Sequence, residues 1–135
     1  MKQTGFSLIE LMVVLAVIAA LATVAIPSYQ NYSMRADRSD GLESLQAFFN
    51  AQERYYADNM TYTANLTDLG ATNNTFDTPR GNYQITAGRC GNQALTQCVQ
   101  LTATAVGPQA KDGDLIFNSN GRQVRVLNGT EHAIK

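Results

Sequence analysis

Tryptophan is absent from these 135 residues, and the chain has one histidine, two cysteines and three prolines. His132, beside Glu131 near the C-terminus, reads as a solvated side chain. No Ser/His/Asp set, metal-ligand spacing, phosphate loop or paired-carboxylate pattern stands out, so neither an enzyme nor a bound cofactor or metal is expected. Asp112-Gly113-Asp114 lacks the further oxygen ligands, at regular offsets, that a calcium loop needs, and reads as a turn. An excess of either charge is missing too. Formal net charge is −1 and the sequence pI is about 5.7, which excludes a global basic field for nucleic acid or anionic lipid. The length suits about one domain.

What the chain does have is one long apolar run, Phe6 to Ile26, broken only by Glu10. An acidic residue inside a membrane helix costs roughly 2.5–3.5 kcal/mol on insertion scales, so a segment serving only as an anchor would be better without it. A buried helix of a soluble domain would find little to pack against in the rest of the chain. A secretory signal peptide would use Lys2 as its basic region and Ala20-Leu21-Ala22 as its cleavage site. Glu10 would then fall in the apolar region, which also exceeds the usual ~7–15 residues. An anchor helix fits the dimensions: 21 residues at ~1.5 Å each span about 31 Å, against a hydrocarbon core of ~30 Å.

Gly5-Phe6-Ser7-Leu8-Ile9-Glu10-Leu11-Met12-Val13-Val14 resembles the N-terminal signature of type IV pilins and pseudopilins. The resemblance implies that a membrane prepilin peptidase/methyltransferase cuts between Gly5 and Phe6 and methylates the new Phe6 amine, while Glu10 is kept. Glu10 of one subunit can then meet the Phe6 amine of its neighbour, so that two charges too costly to bury singly compensate each other and set an axial register. Pairing with the amine of its own chain, four residues away, is the local alternative. Pro27-Ser28 also matches the family, whose long helix carries a proline here. Lys2 alone gives a weak positive-inside bias, with Arg35 and Arg38 beyond the run. The placement of the leader in the cytoplasm therefore rests on the resemblance.

From Tyr29 the pattern stays helical. Leu42, Leu45, Phe49 and Tyr56 form one stripe with Phe48 beside it, and Asp37, Arg38, Asp40, Glu43 and Glu53 line other faces. Gly41 weakens the middle by about 1 kcal/mol relative to Ala. The expected organisation is a leader over residues 1–5, a membrane and filament-core helix over 6–27, an amphipathic half over 28–57, and a loop with an antiparallel sheet over 58–135. Tyr83, Ile85 and Ala87 alternate with polar residues, as do Val99, Leu101 and Ala103, then Leu115 and Phe117, then Val124 and Val126. Asn120-Gly121 marks the turn between the last two runs. The expected fold is α+β: a long bent helix packed on a four-stranded antiparallel meander, in agreement with the pilin fold.

The segment from Arg54-Tyr55-Tyr56 through Thr61-Tyr62-Thr63 to Leu69-Gly70 resembles minor and competence-type pilins. Cys90 and Cys98 sit between the first two strands, and in an exported chain so close a pair is most simply a disulfide. Arg80, Arg89, Arg122 and Arg125 would form a basic strip for DNA if the strand ends cluster; scattered solvated charges are the other reading. The expectation is a minor pilin in the bacterial inner membrane, single-pass with a periplasmic C-terminal domain, and later in the extracellular pilus. Its partners would be other pilin subunits, the prepilin peptidase and the inner-membrane assembly machinery. A DNA-uptake pilin, a type II secretion pseudopilin and a membrane-anchored enzyme are the alternatives.

Overall fold

A computed structural model describes residues 5–134; residues 1–4, Lys2 among them, and 135 lie outside the described range, so most of the expected leader does too. The chain divides into two compact units, one ending at Arg35 and the other running from Ala36. Helix α1 covers Leu8–Asn59 and contains Pro27, so the proline does not end it. A single interior proline removes one i→i−4 hydrogen bond and leaves the others in place. The helix is apolar but for Glu10 up to Ile26 and almost wholly exposed up to Arg35, and it is long and apolar enough to cross a membrane.

From Ala36 on, the last turns of α1 lie against a six-stranded sheet. Its strands are β1 (Phe76–Asp77), β2 (Tyr83–Arg89), β3 (Val99–Ala105), β4 (Asp114–Asn118), β5 (Gln123–Leu127) and β6 (Thr130–Ala133). They follow one another in chain order and every pairing is antiparallel. The α+β meander holds, but the sheet has six strands rather than four. Both extra strands lack a period-two signal for a physical reason. β1 has two residues, too few to alternate, and β6 is exposed throughout. The turn before β6 was nevertheless marked: Asn128 and Gly129 both have positive φ, 51° and 76°, as the Asn-Gly hairpin turn requires.

Alternation served the first three long strands. Tyr83, Ile85, Val99, Leu101, Ala103, Leu115 and Phe117 are buried. All of these but Val99 form one core with Leu45, against which Leu42, Phe48 and Phe49 pack. The face of β5 is the reverse of the expected one. Leu115 pairs with Arg125, while Val124 pairs with Ile116 and Val126 with Asp114. Directly paired residues share a face, so the two valines lie away from the core and Arg125 points to the core side. Behind the helix, buried Gln52 holds Thr63 by both backbone groups, donating from Nε2 to its carbonyl at 2.6 Å and accepting its N–H at 3.1 Å.

Gly41 is buried in α1, and its role exceeds the propensity cost read from the sequence. A Cβ there would lie 2.9 Å from Tyr83 Cδ2 and 3.1 Å from Leu115 Cδ1, so the missing side chain is what lets the helix approach the sheet. Gly41→Ala is expected to lose about 1–3 kcal/mol by overpacking, more than the ~1 kcal/mol gained in helix propensity. Denaturant unfolding of the variant checks this through a lowered midpoint.

Candidate functional site

Two regions carry the residues singled out in the sequence, one in each unit. In the first, Gly5 and Phe6 precede α1, and Phe6 is 88% exposed. Glu10 lies in the first turn of the helix, where a carboxylate also favours the positive end of the helix dipole. Among the described residues, Glu10 forms no ion pair. Pro27 sits inside the same helix.

In the second unit the structure separates the four arginines. Arg80 precedes β2; its Nη1 donates to Asp37 Oδ1 at 2.6 Å and its backbone N–H to Asp40. Arg89 lies at the other end of β2, about 20 Å away at the usual rise per residue. Arg122, just before β5, is ion-paired with Glu131 of β6. Arg125 is held on the core side, its Nη1 donating to Asp112 Oδ1 at 3.0 Å and to the Asp112 carbonyl at 2.9 Å. Only Arg89 and Arg122 share one end of the sheet, because Arg89 pairs with Val99, Val99 accepts the N–H of Ser119, and Asn118 donates to the Arg122 carbonyl.

At that end lies the loop closed by Cys90 and Cys98, which form a disulfide. For so short a loop the chain-entropy contribution is roughly 2–3 kcal/mol. The loop presents the exposed side chains of Asn92, Gln93, Thr96 and Gln97. Asn120, in the turn between β4 and β5, donates from Nδ2 to Gln93 Oε1 at 3.2 Å. Tyr62 donates its backbone N–H to Leu95, and the Tyr56 hydroxyl donates to the Thr96 carbonyl. With Arg89 and Arg122, this end of the sheet is an amide-rich surface of low charge.

A site that sequence reasoning missed lies beneath the helix. Asp112 is 6% exposed. Its carboxylate accepts from Arg38 through Nε at 2.8 Å and Nη2 at 2.5 Å, from Gln109 Nε2 at 3.1 Å, from the Tyr83 hydroxyl at 3.3 Å and from Arg125. Arg38, which the helical pattern assigns to a polar face, is the helix's contribution to it. Burial works to raise the Asp112 pKa, but the Arg38 hydrogen bonds and charge, then Arg125 and Tyr83, hold it below the usual carboxylate value. Burial pushes the Tyr83 hydroxyl up to about 12. The only trace in the sequence is the turn Asp112-Gly113, whose glycine has φ 93° and no room for a Cβ, the Val126 carbonyl oxygen lying 2.3 Å from that position.

Among the described residues no group of His, Cys, Asp and Glu could hold a metal ion. The geometry is that of an exposed apolar helix in one unit and a helix-backed antiparallel sheet in the other. This is the class of the type IV pilins. Residues 1–26 match the prokaryotic N-terminal methylation motif. Residues 27–115, about two thirds of the chain, match the family described as type IV minor pilin ComP, DNA uptake sequence receptor, and the chain belongs to that family. No curated protein matches the chain. It is a minor type IV pilin, of a family of structural subunits, membrane-anchored and later part of the pilus. Other pilins and the pilus machinery are its partners. β5 and β6 lie beyond the matched residues.

Asp112→Asn would remove the charge that half-buried Arg38 and Arg125 share, at a cost on the order of 3 kcal/mol. The folded pKa of Asp112 lies below its unfolded value near 3.8. Its contribution is therefore present above that pH and lost as pH falls through the folded value. Urea melts between pH 2 and 6 are expected to show the wild type losing more stability on acidification than the Asn variant.

Proposed function

We propose that the chain is inserted in the inner membrane as a prepilin with its C-terminal domain in the periplasm. It is cut between Gly5 and Phe6, N-methylated on Phe6, and then enters the pilus through its N-terminal helix. The observation that carries this reading is a single carboxylate, Glu10, four residues beyond Phe6 in a helix otherwise apolar to Ile26. The positive Phe6 amine exists only after cleavage. A neighbour's amine against Glu10 compensates both charges in an apolar filament core, and their offset selects one axial stagger. Pro27 removes one helical hydrogen bond at the end of the run, where bending costs least.

Glu10→Ala should leave membrane insertion intact and lower the amount of this chain in sheared surface fibres, with mass spectrometry of the fibres reporting both the ratio to other pilins and a methylated Phe6 terminus. Normal incorporation, or an intact Met1 in the fibres, would defeat the reading.

The finer role is DNA reception, for which the family's description and the disulfide-closed loop are the support. The unit from Ala36 has more acidic than basic residues, so phosphate attraction is weak and binding has to lean on base edges. Asn92, Gln93, Gln97 and Asn120 are the side-chain type that matches adenine edges in a groove. Arg89, which makes no ion pair among the described residues, and Arg122 supply the phosphate contacts. The affinity for duplex DNA should accordingly fall with salt at a log–log slope of no more than about 2, and Arg89→Ala should reduce it by about 1. A slope of zero removes DNA reception and leaves the pilin reading standing.

A further inference from the structure

Past the apolar run, α1 exposes two aromatic rings: Tyr29 at 74% and Tyr32 at 73%. Three residues apart, they lie on neighbouring positions of one side of the helix, and neither hydroxyl has a partner among the described residues. Between Glu10 and Arg35 the sequence holds no charged side chain. The helix therefore has no ionic group to fix its height in a bilayer at the end away from Gly5. If Phe6–Ile26 fills the hydrocarbon, the backbone at Tyr29 lies about 4–5 Å and that at Tyr32 about 9 Å past its edge, and both side chains tilt back toward the helix N-terminus, which brings the rings nearer to it. The headgroup layer on one side is about 5–8 Å deep. Tyrosine, with an apolar ring and a hydroxyl that wants water, is enriched in that layer. Pro27, Ser28, Gln30, Asn31 and Ser33, between and beside the rings, are uncharged and compatible with the same depth.

We propose that Tyr29 and Tyr32 are an interfacial anchor: both rings lie in the phospholipid headgroup layer at the end of the helix away from Gly5, and they set the depth at which Glu10 sits. The inference rests on the membrane-anchored state of the chain before assembly. With the far end held, Glu10 lies about 24 Å below Ile26 and about 6 Å inside the near edge of the hydrocarbon. At that depth its carboxylate is close enough to the surface to stay solvated in part while the chain waits, and about 6 Å below the Phe6 amines of chains anchored at the same height, so that a shift of about four residues brings the pair level. Loss of the anchor lets an apolar helix slide, and Glu10 with it.

The absence of tryptophan makes the test direct. Full-length Val24→Trp is reconstituted in phosphatidylethanolamine/phosphatidylglycerol vesicles containing lipids brominated at known acyl depths, with and without Tyr29→Leu/Tyr32→Leu. Leucine keeps the bulk and the helix propensity but prefers hydrocarbon. The expected result is a shift of the depth of strongest quenching toward the bilayer centre by up to about one helical turn, ~5 Å. Identical quenching profiles overturn the proposal; if fibre entry is lost while the profiles stay identical, the tyrosines act between subunits instead. No quenching at any depth in the Val24→Trp chain would remove the membrane-anchored state itself, a different failure from unchanged depth.

Discussion

One buried carboxylate ties the globular unit together. Asp112 stands in the turn before β4, and the groups that converge on it come from α1, β2, the 3-10 turn before it and β5. Four segments distant in sequence thus share one negative charge. Hydrophobic contact presses the helix onto the sheet without choosing its angle or register, because apolar area is non-directional. Arg38 supplies the direction, its guanidinium fork gripping Asp112 through two nitrogens in a planar geometry that few other arrangements satisfy. Gly41, less than a turn away, lets the helix come close enough for the fork to reach.

The two units follow different physical rules. From Ala36 on, side chains find polar partners within the unit: Gln52 in Thr63, Tyr83 in Asp112, Arg80 in Asp37. Before Arg35 the chain satisfies its backbone by helix formation and leaves its side chains exposed, a surface stable only in lipid or against similar helices. A subunit that must leave one apolar environment for another needs such a helix. It also needs a domain whose own stability does not depend on the exchange.

How much of this was legible follows from the range of each signal. The helix, the strands β2, β3 and β4, the turn at Asn120-Gly121 and the methylation motif depend on residues close in sequence, so periodicity and spacing reveal them. β1 and β6 fail that test, one too short and the other too exposed to alternate. β5 misled for a subtler reason. Val124 and Val126 alternate as a core strand would, but sheet register turns them outward and turns Arg125 inward, and register is decided by the neighbouring strand. The arginines show the same limit. Four arginines between positions 80 and 125 suggested a strip, yet Asp37 and Asp112 hold Arg80 and Arg125 away from it and Arg122 stands there only beside Glu131.

By itself the sequence determined the helix and the methylation motif, because a carboxylate four residues past Phe6 in an apolar run is a covalent spacing that folding does not alter. Tertiary structure alone decided which charges are available. Arg38 and Arg125 became internal because one buried carboxylate pairs with both. At the end of the sheet around Cys90–Cys98, Arg89 stands in no ion pair among the described residues, while Glu131 holds Arg122. Availability of a charge is a property of its neighbours in space, and these are set by packing and register rather than by order along the chain.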